Sequence, residues 1–212
     1  MSAAAPLAIG VLASGRGSNL QAILDAARTP GYPARVAVVI SDHETAAALE
    51  RARTAGVEAV FLNPKDHGDR AAYETALVGT LAARGVGLVC LAGFMRILGP
   101  PFVRAFPRRI LNIHPSLLPA FPGLHAQRQA LEYGVRVAGA TVHFVDEGVD
   151  TGPIVLQASV PVQPDDTEET LSARILAEEH RLYPEAIRLF AEGRLRLAGR
   201  RVTIVAEHPR EG

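Results

Sequence analysis

Over the first half of the chain, short apolar runs alternate with amphipathic stretches. Leu7 to Leu12, Arg35 to Ile40, Val57 to Leu62 and Val86 to Leu91 read as strands, each nearly continuous in apolar residues. Between them, Leu20, Ile23, Leu24 and Ala27 fall at helical spacing. Ala46 to Ala55 and Asp69 to Arg84 read as further helices, stopped by Gly56 and Gly85, with Asp69 as an N-cap. Strands buried on both faces and separated by helices predict a parallel, doubly wound sheet with helices on either side. Such a sheet gathers its ligands at the carboxyl ends of its strands.

The second half changes rhythm. Pro100 to Phe106 reads as a short helix, and Ile110 to His114 as a fifth strand that stops at Pro115 and Pro119. Ala126 to Tyr133 is a helix ended by Gly134. Ala140 to Phe144 alternates as a strand, and Ile154 to Val162 follows close enough to pair with it antiparallel. Thr167 to Phe190 reads as a long helix with Thr167 as N-cap; Pro184 is expected to kink or divide it. Leu195 to Leu197 and Val202 to Val205 form a terminal hairpin. The expected fold is a three-layer, doubly wound, mainly parallel α/β sheet with an antiparallel C-terminal portion. No repeat or linker divides residues 1–212. We therefore expect one domain, with a phosphate-binding half at about 7–106, a catalytic half at about 107–193 and the hairpin at about 194–206.

Composition narrows the function classes. The chain carries 22 basic and 22 acidic residues, so no bulk field favours nucleic acid or an anionic membrane. The lone cysteine, Cys90, sits in an apolar run and reads as a small core residue. The seven histidines are scattered and not spaced as a zinc site. Met1 to Pro6 is a small-residue lead-in without the pattern of a signal peptide, and no apolar run reaches membrane-spanning length. The expectation is a cytoplasmic protein with small-molecule substrates, no metal, and either a monomer or a homodimer.

Three loops carry candidate chemistry. Ser14 to Asn19 joins the first strand to a helix, a layout that aims backbone N–H groups and the helix dipole at an anion. It lacks the lysine of a Walker loop and the third glycine of a dinucleotide fingerprint, so a single phosphate group fits it better. The same residue types also serve as an ordinary helix cap. After the fourth strand, Ala92 to Leu98 places large apolar side chains around Arg96. This reads either as a lid on the core or as a wall for a flat ligand. At the end of the fifth strand, Asn112 and His114 are two residues apart and so share a face. An amide donor beside an imidazole suits an acyl-transfer site, and equally a buried histidine next to a turn former. Asp150, between Gly148 and Gly152, is the carboxylate that could reach back to His114; with Asp146 and Glu147 it reads equally as a solvated acidic turn. No serine or cysteine occupies a nucleophile elbow, so direct transfer between two bound substrates fits better than a covalent intermediate.

Beyond these patterns, the chain resembles the folate-dependent phosphoribosylglycinamide formyltransferases from Leu7 to about Gly193. The motifs are Ser14 to Gln21, Leu91 to Leu98, Leu111 to Pro119, Phe121 to His125, Val142 to Val145, Asp150 with Gly152-Pro153, and Glu179-His180 before Tyr183-Pro184. The resemblance implies a Rossmann-like formyltransferase fold. It implies transfer of the formyl group of 10-formyltetrahydrofolate to the amine of glycinamide ribonucleotide, in de novo purine synthesis, through a tetrahedral intermediate. By position, Gly17, Ser18 and Asn19 would hold the substrate phosphate, and Glu179 its ribose. Arg70, Met95, Arg96, Ile97 and Leu98 would contact the folate together with Asn112, Val145, Asp146, Glu147 and Asp150. The loop from Val145 to Asp150 would close over the pterin. Asn112, His114 and Asp150 would form the catalytic trio. Asp150 would raise the His114 pKa, and protonated His114 would stabilise the oxyanion with Asn112 and donate a proton. His143 lies beside the site and could be auxiliary.

Other formyl-folate enzymes share the trio. A methionyl-tRNA formyltransferase would bring a further RNA-binding domain after the region that here ends near Val205. A formyltetrahydrofolate deformylase would bring a regulatory domain before Leu7. A non-catalytic phosphosugar-binding module on the same fold is the remaining alternative.

Overall fold

The structure is a computed structural model that describes residues 5–206. The first residues of the small-residue lead-in, 1–4, lie outside the described residues. The strands are β1 (Leu7–Leu12), β2 (Ala34–Ser41), β3 (Glu58–Phe61), β4 (Leu88–Leu91), β5 (Ile110–His114), β6 (Val137–Phe144), β7 (Ile154–Pro161), β8 (Leu195–Ala198) and β9 (Arg201–Ile204). The helices are α1 (Ser18–Ala27), α2 (Ala47–Thr54), α3 (Arg70–Ala82), α4 (Pro100–Ala105), α5 (Ala126–Tyr133) and α6 (Glu168–Ala191).

Seven strands form one sheet in the order β3-β2-β1-β4-β5-β6-β7. Pairing is parallel from β3 through β5 and antiparallel for β5–β6 and β6–β7. The order reverses direction at β1 and β4, which is where a doubly wound sheet opens its ligand crevice.

Strand alternation divides the core in two. Ile9, Val11, Val39, Leu88, Cys90, Leu111 and Ile113 pack toward α1, α2 and α6. Leu12, Val38, Ile40, Val89, Leu91 and Ile110 pack toward α3 and α4. By the same alternation Asn112 and His114 share the face of Ile110, at the strand's carboxyl end. Cys90 is buried in the sheet, as its apolar run implies.

Two expectations need correction. Pro184 does not divide the long helix: α6 runs through it as one helix of 24 residues. Its inward face, including Leu171, Ile175, Leu182, Tyr183 and Ile187, is buried against the sheet, and that packing outweighs one lost backbone bond. The Tyr183 hydroxyl reinforces the seat, its one hydrogen within reach of the sheet carbonyls of Leu91 (3.0 Å) and Leu111 (2.9 Å). Second, the strand expected from Ala140 begins at Val137, because pairing with β7 extends to Pro161. The predicted N-caps hold. Asp69 accepts from the Ala72 N–H, and Thr167 and Thr170 form a reciprocal capping box.

Candidate active site

The loop after β1 is tied to the loop after β4. Ser14 N–H donates to the Gly93 carbonyl (3.0 Å), and Met95 N–H donates to the Ser14 hydroxyl (2.9 Å). Gly17 then turns the chain into α1 at φ 70, a left-handed value that favours glycine. A Cβ here would also come within 2.9 Å of the Ala48 backbone. No side chain caps α1, and its first turn holds no acidic residue. The N–H groups at Ser18 and Asn19 thus stay available to an anion, with the dipole behind them. The Gly15 position is less constrained: its φ is not positive and nothing lies within 4 Å of an added Cβ.

The Asn19 side chain also reaches across to α6. Its Nδ2 donates to Glu179 Oε2 at 2.8 Å, joining α1 to α6. Its Oδ1 is buried and has no partner. An amide nitrogen carries two hydrogens, so one goes to Glu179 while the second, with the backbone N–H, stays available to a phosphate. Burial pushes the Glu179 carboxyl above its ordinary range, and the Asn19 amide pulls back against that. The neighbouring His180 also buries an unpartnered Nε2, and burial lowers its pKa.

Asn112, His114, His143 and Asp150 form one cluster at the end of β5. Asp150 Oδ2 lies 3.4 Å from His114 Nδ1 and accepts from the Gly123 N–H at 2.8 Å. Asp150 Oδ1 lies 3.4 Å from Asn112 Nδ2 and 3.5 Å from His143 Nε2. Asn112 Nδ2 is also 3.2 Å from His143 Nε2. Asn112 and His143 face each other across the β5–β6 pair. The loop that delivers Asp150 is fixed by Gly152, where a Cβ would sit 1.7 Å from the Phe144 carbonyl oxygen. Asp150 itself adopts φ 53.

The partners set the tautomers. His114 Nε2 is 2.8 Å from the Phe121 carbonyl, and His143 Nδ1 is 2.8 Å from the Phe144 carbonyl. A carbonyl only accepts, so each of those nitrogens carries a hydrogen. His143 Nε2 faces both the Asn112 amide and Asp150 Oδ1: it accepts from the first when it carries no hydrogen and donates to the second when it does. Neutral His114 presents a lone pair at Nδ1 to the Asp150 carboxylate, an arrangement that a proton between them relieves.

The expected pKa effect is only half present. Burial lowers the His114 pKa from its ordinary value, and the Phe121 carbonyl and Asp150 push it back up without overcoming that. The resting imidazole is thus biased toward neutral, because the ring is sealed from water. For Asp150, burial acts to raise the pKa. His143, the Gly123 N–H and the charge of His114 together hold it below the usual carboxylate value.

A cavity of about 570 Å³ adjoins the loop after β4, lined by His67, Arg70, Tyr73 and Glu74 and by Met95 to Leu98. Met95 and Ile97 are exposed at its rim and Leu98 is buried. Asn112, His114 and Asp150 do not line it; Leu91, which pairs with Asn112, ends the strand that leads into its Met95 to Leu98 wall. Val145, Asp146 and Glu147 do not line it either. Val145 packs on the α3–α4 core, Asp146 accepts from the Thr151 hydroxyl (2.6 Å), and Glu147 pairs with Arg104 (2.8 Å). Sequence reasoning missed Asp42 and Glu74, two buried carboxylates that hold Arg96 and Arg70. Glu74 stood four residues after Arg70, which was a readable signal. Asp42 gave none.

The formyl transferase family matches residues 7–187. The chain is 48% identical over 189 residues to the phosphoribosylglycinamide formyltransferase of Escherichia coli (strain K12), covering 89% of each. It is 50% identical over 206 residues to the enzyme of that name from Mycobacterium tuberculosis, covering 94% of this chain and 95% of that one. It is 52% identical over 190 residues to the trifunctional purine biosynthetic protein adenosine-3 of Drosophila pseudoobscura pseudoobscura. That match covers 89% of this chain but only 14% of the much longer relative. Among solved structures, glycinamide ribonucleotide transformylase 1 from Symbiobacterium toebii superposes with a TM-score of 0.93 at 65% identity, covering 95% of both chains.

Proposed function

The chain belongs to the formyl transferase family, and we propose that it is a phosphoribosylglycinamide formyltransferase. It moves the formyl group of 10-formyltetrahydrofolate to the amine of N1-(5-phosphoribosyl)glycinamide, giving formylglycinamide ribonucleotide and tetrahydrofolate in de novo purine synthesis. The observation that carries this reading is the Asn112–His114–Asp150 cluster, with His143, at the carboxyl end of β5. It combines an amide donor, an imidazole and a carboxylate with no nucleophilic side chain among them.

The open N-terminus of α1, with Gly17, Ser18 and Asn19, receives the phosphate, and Glu179 takes the ribose hydroxyls. Arg70 and the Met95 to Leu98 loop bind the co-substrate, which supplies the formyl carbon. The loop from Val145 to Asp150 covers it. The chemistry forms one C–N bond, breaks another and moves one proton from the attacking amine to the departing folate nitrogen. His114 begins neutral, with a lone pair at Nδ1. It takes up the amine proton as the new bond forms, and Asp150 stabilises the resulting imidazolium. The same proton then passes to the leaving nitrogen, directly or through water. Asn112 turns an amide hydrogen from its long Asp150 contact to the developing oxyanion. His143 keeps the Asn112 amide oriented. No covalent enzyme intermediate is needed, since proximity and a proton relay suffice.

The test follows folate absorbance with 10-formyltetrahydrofolate in the presence and absence of the ribonucleotide. Deformylation that requires the ribonucleotide and yields its formylated product is expected. Deformylation without it would make the chain a hydrolase. Ribonucleotide binding with no reaction would favour a binding module.

A further inference from the structure

The two arginines of the 570 Å³ cavity are built alike. Arg70 Nε donates to Glu74 Oε1 at 2.7 Å, and Arg96 Nε donates to Asp42 Oδ2 at 2.8 Å. In each pair the carboxylate is sealed, with 5% (Glu74) and 2% (Asp42) of its side chain exposed, while the arginine stays about half exposed. A buried carboxylate backing an exposed guanidinium through its Nε edge fixes the plane of the fork. The two Nη groups remain for something else.

Neither carboxylate is a casual surface partner. Glu74 Oε1 also accepts the Gly99 N–H at 2.7 Å, so one oxygen holds both Arg70 and the end of the Met95 to Leu98 loop. Gly99 leaves the space for this: a Cβ there would lie 3.0 Å from Glu74 Oε2 and 3.1 Å from Arg70 Nη2. On the other wall, Arg96 also lies over the Tyr73 ring, 5.7 Å from its centroid. Asp42 Oδ1 and the Tyr73 hydroxyl are both buried without a partner, so polar capacity remains beside the guanidinium.

The charges of the two pairs cancel, and Asp69 adds a further carboxylate to the lining. The cavity therefore has little bulk attraction for an anion, and its affinity for one depends on where the forks point. Paired forks in fixed planes suit a ligand segment that carries carboxylates. A folate has such a segment in the glutamate beyond its aromatic rings. We propose that Glu74 and Asp42 are positioning residues that hold Arg70 and Arg96 in the geometry needed to grip the carboxylate-bearing tail of the co-substrate. This rests on the formyl-folate reading above. It adds that recognition of the tail is set by two buried acids that do not themselves touch it.

The test compares KM for 10-formyltetrahydrofolate with KM for 10-formyltetrahydropteroate, which lacks the glutamate, at saturating ribonucleotide. Glu74→Ala is expected to raise KM about tenfold for the tailed substrate and less than about twofold for the tailless one. Asp42→Ala should act in the same direction. Glu74→Gln keeps a side-chain oxygen for Arg70 or Gly99 and should restore most of the preference for the tail. Gly99→Ala pushes on the Glu74–Arg70 pair from outside and should give the same selective loss, so the idea stays testable if Glu74→Ala does not fold. An equal rise in both KM values would mean a general structural role and overturn the proposal, as would no change in either. An unsubstituted chain that forms no product would overturn the formyl-folate reading itself. An active chain whose variants do not discriminate between the two substrates would overturn the positioning role alone.

Discussion

The ends of β5 and α1 each hold a carboxylate away from water, and they treat it in opposite ways. Asp150 is ringed by Gly123 N–H, the Asn112 amide and two imidazoles, and its pKa falls although burial pushes the other way. Among the described residues the donor to Glu179 is the Asn19 amide, and its pKa rises because burial is not offset. The difference lies in both depth and donors: Glu179 is the more deeply buried, and Asp150 has the larger set of donors. A carboxylate kept as an anion beside an imidazole is suited to stabilising a transient imidazolium. One held by a single neutral donor is suited to exchanging partners with hydroxyl groups.

The largest expected effect separates the two in kinetics. His114→Ala and Asp150→Asn should each lower kcat by about 10²- to 10⁴-fold, the usual range for losing general acid–base help, with ribonucleotide KM little changed. Glu179→Gln should do the reverse. The ribonucleotide KM should rise about 10- to 100-fold, as expected for a hydrogen bond to a charged group, with a smaller effect on kcat. Steady-state kinetics with the ribonucleotide as varied substrate checks both. A kcat collapse in Glu179→Gln would place the two carboxylates in one role and end the comparison.

The next effect is in stability. Asp150 has a folded pKa below its unfolded one, so its contribution is present above the unfolded value near 3.8 and lost as pH falls through the folded value. Glu179 has a folded pKa above its unfolded one. The folded state then binds its proton more tightly, so stability declines as pH rises from about 4.5 through the folded value. At pH 8, Asp150→Asn should lower Tm and Glu179→Gln should raise it, each by a few degrees, since about 1 kcal/mol moves Tm by roughly 2–4 °C at this size. Thermal melts at pH 8 decide it; shifts of the same sign in both variants would contradict the assigned directions.

This contrast also marks how far the sequence could be read. The parallel half follows from apolar runs separated by helical spacing, and the shared face of Asn112 and His114 follows from a period of two. Asp150 stood out as a carboxylate between two glycines, and the resemblance to a known family brought Glu179 to attention. No pattern in the chain could reveal that Asn19 spends its amide on Glu179, 160 residues away. Nor could it reveal that Asp42 anchors Arg96 across 54 residues. Both pairs are made by packing, between α1 and α6 in one case and between the loops after β2 and β4 in the other. The continuity of α6 through Pro184 has the same origin, since local propensity argued for a break and the buried face overruled it.

The smallest effect is the most informative about His114. Burial lowers its pKa, while Asp150 and the Phe121 carbonyl raise it against that pull. Imidazole NMR should therefore give a His114 midpoint below 6.5 in the free protein. Asp150→Asn removes one of the two supports and should move the midpoint further down. Glu179→Gln changes none of the groups that set it and should leave it in place. A midpoint below 6.5 means that the resting ring is neutral near pH 7 and must take a proton before giving one, so kcat/KM should fall on the acid side of that midpoint. A midpoint above 6.5 would mean that Asp150 outweighs burial. His114 would then begin as the acid, as the sequence resemblance implied, and the attacking amine would have to lose its proton to water instead.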